Sequence, residues 1–231
     1  MATYSVEPNP GIRYKIIHED DDVLVVLKPP RVPTQPGKGH EHDTLLNGLF
    51  ATHAAQLQNL GAARDFGLLH RLDKNASGLL VVALRNRAYD ALREAFSGRT
   101  VKKFYWAVCA KTPKQPQGVI RLSIAEQGGQ PSTARGSGTP KTGKIQRNGK
   151  PAITAFRVID SSELGSLVEA RPVTGRLHQV RIHLAELAGW LRPYGMQQMK
   201  MVGLDYQPFS RIARFSPDLS INYLLSAQRP R

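Results

Sequence analysis

Two unbroken apolar runs stand out in the first third of the chain, "VLVVL" at 23–27 and "GLLVVAL" at 78–84. The first reads as a strand closed by the Pro29–Pro30 pair, which cannot continue a ladder. The second reads as a strand buried on both faces, where unpaired charge is costly. Just before it comes the polar insert His70, Arg71, Asp73, Lys74 and Asn75, itself preceded by "GLL". Such an insert belongs on a loop at the sheet's edge, where a rigid scaffold holds a carboxylate open to a ligand. Three helices follow from 3.6-residue spacing. "DTLLNGLFATHAAQLQNLG" has Asp43 as N-cap, Leu45, Leu46, Leu49 and Phe50 on one face, and Gly61 at the C-cap. "NRAYDALREAFSG" starts at Asn86 as cap, spaces Ala88, Leu92 and Phe96, and stops at Gly98. In "PVTGRLHQVRIHLAELAG", Leu177, Val180, Leu184 and Leu187 predict a helix ending at Gly189 whose first turns carry Arg176, His178, Gln179 and Arg181. A helix start with two arginines suits a phosphate or a partner carboxylate, although the spacing also fits an ordinary surface helix. "KKFYWAVCA", "ITAFRVI" and "SLVEARPV" are rich in β-branched or aromatic residues and predict strands. The expected fold class is α+β, a mixed, largely antiparallel sheet with flanking helices.

Composition narrows the partner. Of 231 residues, 32 are Lys or Arg and 18 are Asp or Glu, a net charge of +14 that points to a polyanion, with nucleic acid first. The 41% hydrophobic fraction is ample for a core. Between Gln127 and Lys150 the chain turns to Gly, Pro, Ser, Thr and Lys, and a long, flexible basic loop is expected there. Residues 111–150 hold eight Lys or Arg against one acid, which suits an arm on phosphates as well as a solvated loop. No membrane partner is expected: no basic amphipathic helix is visible, and no apolar run approaches the ~20 residues needed to span a bilayer. The N-terminus lacks a signal-peptide pattern, and Cys109 is the single cysteine, so a reducing cytoplasm is the expected compartment. Within a strand, Cys109 reads as an inert core residue. No metal is expected, because His40, His42, His178 and His183 do not form a closed ligand set of standard spacing. "GGQPSTARGSG" lacks the ending and the following helix of a nucleotide-binding loop.

Four stretches share one resemblance. "HRLDKNASGLL" resembles the signature of the RluA-type pseudouridine synthases, and "TGRLHQVRIHLA" resembles their second conserved element. "DDVLVVLKPPRVPTQPG" and "KKFYWAV" are similar to the family's opening strand and its Lys-x-Tyr-x-Ala strand. All four occur in the family's order, over roughly residues 20 to 190. The resemblance implies cleavage of the uridine N1–C1′ bond, rotation of the uracil and rejoining through C5, with no cofactor. It implies that Asp73 is the catalytic aspartate, that Arg181 pairs with it, and that Tyr105 stacks on the base and takes the C5 proton. It also implies that Arg71 contacts RNA and fills the space left by a flipped-out uridine, with Arg176, His178 and Gln179 as further RNA-binding residues. His70 and Leu72 are expected only to pack the loop. The RNA would be ribosomal or transfer RNA and the protein a monomer. The implied layout is an N-terminal lead at 1–20, a catalytic domain at 21–190 with the basic loop at 127–150, and a divergent C-terminal segment at 191–231. No separate RNA-binding domain is expected ahead of the catalytic one. Two departures stand out: Ala76 replaces the family's usual threonine, and from Gly189 onward the family pattern fades, so no site is assigned there. The competing expectation is an RNA-binding protein of weak or no catalytic power on the same scaffold. Asp73 weighs against it, because a carboxylate facing phosphates repels them.

Overall fold

A strand inside a covered sheet needs apolar side chains on both faces of the pleat. β2 (Val23–Lys28) and β3 (Ser77–Ala83) supply them: Val23 to Val26 and Leu79 to Ala83 are all buried. The structure is a computed structural model that describes residues 4–128, 142–163, 165–189 and 200–201. The chain divides into two compact units, residues 1–102 with 197–231, and residues 103–196.

In the first unit β2 and β3 run antiparallel, with Leu24 opposite Val82, Val26 opposite Leu80 and Lys28 opposite Gly78. β1 (Lys15–Glu19) pairs with the other side of β2 through an irregularity between Ile16 and His18. A two-residue strand, Lys200–Met201, lies parallel to Ser77 and Gly78. α1 (Leu45–Leu60) buries Leu45, Leu46, Leu49, Phe50 and Leu57. Its N-cap is Thr44 rather than Asp43: the Thr44 hydroxyl accepts from Asn47 N–H at 3.4 Å, and Asn47 Oδ1 accepts from Thr44 N–H at 3.1 Å. Asp43 instead accepts from the His40 ring. The helix ends at Gly61 with φ 67°, as its sequence position predicts. The 3-10 turn that follows, Ala62–Gly67, sets the Phe66 ring edge-on to Phe50 at 5.4 Å. Gly67 has φ 85°, and a Cβ there would run into the Ala83 carbonyl, so the chain can enter the polar insert only with glycine at this point. α2 (Asn86–Ser97) packs on β3 and buries Ala88, Tyr89, Leu92 and Ala95. Asn86 is its first helical residue, and Arg85 occupies the cap without a side-chain bond.

The second unit is built on an antiparallel sheet. It contains β4 (Tyr105–Cys109), β5 (Gln117–Arg121), β6 (Ile124–Gln127), β7 (Thr142–Ile145), β8 (Ile153–Ser162), β9 (Gly165–Pro172) and α3 (Gln179–Ala188). The strands pair in the order β4, β9, β8, β5, with a bulge between Val158 and Asp160, and β6 with β7 forms a separate two-stranded sheet. β7 falls inside the stretch whose composition predicted a loop. Its Ile145 faces Ile124, and the close approach of α3 selects Gly143, where a Cβ would sit 2.8 Å from both Ile182 Cδ1 and the Leu177 carbonyl oxygen. α3 packs against β4, β7, β8 and β9 with Val180 and Leu184 buried. It begins at Gln179, so Arg176 and His178 precede the helix instead of riding its first turn. Cys109 is buried, and burial pushes its thiol up to about 11, which keeps it protonated and inert as its strand position predicts. The segment after Gly189, Lys200–Met201 apart, lies outside the described residues.

Candidate active site

The polar insert lies between the 3-10 turn and β3 and has neither helical nor strand structure of its own. What holds it is a clamp on its backbone. Thr34, in the turn after β2, is buried; its hydroxyl donates to the Leu72 carbonyl at 2.9 Å and accepts from Leu72 N–H at 3.1 Å. On the other side of Asp73, Lys28 reaches up from the end of β2 and donates to the Lys74 carbonyl at 3.2 Å. The same ammonium donates to the carbonyls of Pro29 at 2.8 Å and Val32 at 2.7 Å, so its three protons meet three acceptors. Lys28 is 0% exposed. Desolvation pushes its pKa down to about 8 while the negative charge of Asp73 works in the opposite direction, so at neutral pH the ammonium is still charged. Ala76 N–H closes the loop on the Asp73 carbonyl at 3.0 Å. The methyl of Ala76 is buried, and these backbone bonds hold the turn where a threonine hydroxyl is missing. His70 and Leu72 pack the loop as expected: His70 stacks on Phe96 at 5.0 Å, its Nε2 accepts from Val81 N–H at 3.2 Å, and Leu72 is buried. Asp73 is half-buried and Arg71 is exposed. A carboxylate on a fixed peptide beside a buried cation is equipped to act as a nucleophile or to stabilise positive charge.

The second unit carries Tyr105, Arg176, His178, Gln179 and Arg181. Tyr105 opens β4 opposite Ala170 and is half-buried. Arg181 is half-buried in the first turn of α3. His178 stands at the N-cap with φ 52°, a left-handed conformation uncommon for a residue with a Cβ and frequent at functional positions. Arg176 is pinned at one end, donating from Nε to the Pro151 carbonyl at 3.0 Å. Gln179, assigned to RNA binding from the sequence, has its side chain engaged inside the protein. It is buried, its Oε1 accepts from Thr174 Oγ1 at 2.7 Å and from Arg176 N–H at 3.0 Å, and its Nε2 donates to Thr154 Oγ1 and the Ile153 carbonyl, both at 2.9 Å. His183, fully buried one turn later, completes the network. Its Nε2–H donates to the Leu122 carbonyl at 2.9 Å, which leaves Nδ1 to accept from Thr154 Oγ1 at 2.9 Å. Desolvation lowers the His183 pKa, against the pull of the Leu122 carbonyl, which keeps this tautomer neutral. The network sets the register of the loop and helix that display Arg176, His178 and Arg181.

Residues 22–186 match the family model described as RNA pseudouridylate synthase. The chain belongs to this family. It is 37% identical over 169 residues to the uncharacterized RNA pseudouridine synthase YlyB of Bacillus subtilis, covering 73% of this chain and 52% of that protein. Over 178 residues it is 38% identical to the ribosomal large subunit pseudouridine synthase D of Nitrosomonas europaea, covering 77% of this chain and 47% of that one. The chain thus spans about half the length of the curated relatives it matches. Among solved structures, human RNA pseudouridylate synthase domain containing 4 superposes with a TM-score of 0.55 at 25% identity, over 84% of this chain and 70% of that one. Human RNA pseudouridylate synthase domain containing 1 does so with a TM-score of 0.60 at 22% identity, over 96% and 94%, a likeness of fold. The RluA-type resemblance and the α+β fold are therefore properties of this synthase-family chain.

Sequence reasoning missed Lys28 and Thr34. A lysine ending a strand before two prolines looks like a surface residue, and the one signal was its position inside the family-like "LKPP". The histidines considered for metal binding have other partners: His40 bonds Asp43, His42 bonds Glu7 at 2.9 Å, and His183 belongs to the buried network. Among the described residues no three His, Cys, Asp or Glu side chains converge as metal ligands do, and no helix is long and apolar enough to cross a membrane.

Three outcomes are expected. Folded Lys28 releases its proton near pH 8 and unfolded lysine near 10.5, so between these values the unfolded chain binds more protons and this group's contribution to stability rises with pH. The clamp loosens over the same range, because two protons cannot serve three carbonyls. Amide exchange at Leu72 to Ala76, corrected for intrinsic rates, should accelerate as pH rises through about 8, and Lys28→Met should exchange fast at every pH. In the second unit, Gln179→Leu strands several buried polar groups and should lower the stability measured by urea unfolding by about 2 kcal/mol or more, with RNA affinity kept where the protein is still folded. His183 has the same pH sense in a lower window: with its folded pKa depressed, its contribution is intact above the ordinary value of 6.5 and is lost as pH falls below it. The urea midpoint should decline there, and decline less in His183→Gln.

Proposed function

We propose that this protein isomerises uridine to pseudouridine in RNA, with Asp73 as the catalytic carboxylate. The observation that carries the reading is the clamp: Thr34 and Lys28 fix the peptide groups on either side of Asp73, and the carboxylate is held beside a buried positive charge. In the proposed reaction Asp73 attacks C1′ of the ribose or stabilises its developing positive charge while the N1–C1′ bond breaks. The freed uracil turns, C5 bonds to C1′, the C5 proton passes to a base, and N1 is protonated, so substrate and product have the same atoms. Tyr105 stacks on the uracil and takes the C5 proton. The family resemblance assigns Arg181 as the basic partner of the catalytic aspartate. Extruding the uridine from its stack costs a few kcal/mol, and Arg71, exposed on the same loop as Asp73, is suited to fill the gap with its planar guanidinium. Arg176 and His178 flank the start of α3 and contact the RNA backbone. The net charge of +14 supports an RNA partner, ribosomal or transfer RNA in this reading, bound by a monomer in the cytoplasm without a cofactor.

The test is to incubate the protein with bulk RNA and map pseudouridine at nucleotide resolution. Wild-type protein is expected to add modified positions, and Asp73→Asn to bind RNA with similar affinity while forming none. Comparable turnover by Asp73→Asn would refute the assignment. Binding without product by the wild type would make the protein an RNA-binding member of its family.

A further inference from the structure

The residue after Asp73 is the exposed Lys74, and its ammonium donates to His40 Nε2 at 3.0 Å. An ammonium has protons to give and no lone pair, so Nε2 is the acceptor and the ring proton sits on Nδ1. Nδ1 in turn donates to the Asp43 carboxylate, 2.8 Å from one oxygen and 3.0 Å from the other. The stretch carrying His40 is tied back on itself: His40 N–H donates to the Gly37 carbonyl at 2.8 Å, Gly37 N–H to the His40 carbonyl at 3.2 Å, and Gly39 N–H to Glu41 Oε1 at 2.9 Å. Asp43 is followed directly by Thr44, the buried cap of α1. A chain of hydrogen bonds therefore runs from the start of a core helix through a carboxylate and a neutral ring to a cation beside Asp73.

We propose that Lys74 grips a phosphate of the RNA next to the target nucleotide, and that His40, oriented by Asp43, is a positioning residue that holds Lys74 ready for it; this rests on Asp73 being the reactive carboxylate. The chemistry of the holder carries the argument. A free surface lysine loses rotamer entropy when a ligand fixes it, and prior restraint removes much of that cost. A carboxylate partner would also restrain it but would cancel its charge and occupy it as an ion pair. A neutral imidazole restrains through one ammonium proton, places the compensating negative charge one ring away, and leaves two protons directed at an acceptor from outside. The partner that fits a lone, fully charged, part-satisfied ammonium on a protein of net charge +14 is a phosphate oxygen.

The test measures binding of a labelled oligouridylate across a salt series for wild type, Lys74→Gln, Lys74→Arg, His40→Ala and the Lys74→Gln/His40→Ala double variant, with melting temperatures to confirm folding. Lys74→Gln is expected to reduce the slope of log K against log salt by about 0.7, the loss of one phosphate contact on a single strand, and Lys74→Arg to restore it. His40→Ala is expected to keep the full slope, because the charge is still present, while affinity falls about threefold to tenfold as the ordering cost returns. The double variant should bind no more weakly than Lys74→Gln, since His40 acts through Lys74. An unchanged slope in Lys74→Gln, or additive losses in the double variant, would overturn the proposal. Pseudouridine formation by the wild type is scored separately. A blank map with the expected slopes leaves the phosphate contact standing and removes the isomerase reading, whereas a positive map with unchanged slopes removes the phosphate contact alone.

Discussion

A buried ammonium is the constraint around which the first unit is organised. Lys28 has no access to solvent, and a charge in that position is tolerated only if its hydration is replaced by polar groups. Three carbonyls do so, two from the turn that follows β2 and one from the loop that carries Asp73. Neither segment can move without leaving a proton of Lys28 without an acceptor in an apolar surrounding. The loop thereby gains a single conformation although it has no helical or strand bonds, and its carboxylate gains a positive neighbour that is not itself available to an RNA ligand. Thr34 acts on the same turn by a neutral route, bonding both backbone groups of Leu72.

The second unit solves the same problem with uncharged groups. Thr174, Gln179, Thr154 and His183 form a directed chain in which each buried donor has one acceptor, and the chain ends on main-chain carbonyls. The direction is set by one fact, that the Leu122 carbonyl can only accept, so the His183 proton must sit on Nε2 and the Thr154 hydroxyl must point at Nδ1. In both units polar residues inside the core are used to define backbone shape, and the residues left at the surface, Arg71 and Lys74 in one and Glu186 in the other, carry net charge. A fully satisfied polar network of this kind has little tolerance for partial loss, because any removal leaves a partner stranded.

Much of the fold was legible in the sequence, for identifiable reasons. β2, β3, β4, β8 and β9 are runs of β-branched, aromatic or leucine residues, and α1, α2 and α3 have apolar residues at helical spacing, signals that survive without knowledge of neighbours. β1, β5, β6 and β7 were not legible. "KIIHE", "QGVIR", "IAEQ" and "TGKI" are short and largely exposed, and each is a strand because a partner strand offers its bonds. The caps were off by one residue at Asp43 and Asn86 for a related reason. Several residues near a helix start have capping chemistry, and Asp43 is drawn away from that role by the His40 ring.

By itself the sequence determined where the polar loop must be, since charge set between two apolar runs has to leave the sheet, and it determined the net charge that a polyanionic partner would meet. Tertiary structure alone decided which polar residues are tools and which are struts. Lys28 and Lys74 are 46 residues apart, Thr34 and Leu72 are 38 apart, and Gln179 finds its partners 25 and 26 positions upstream. Nothing local distinguishes a lysine that will be sealed under a loop from one that will face water, or a glutamine that will bind a ligand from one used up by backbone. Burial and hydrogen-bond partnership are relations between distant segments, and they come into being only when the chain has folded.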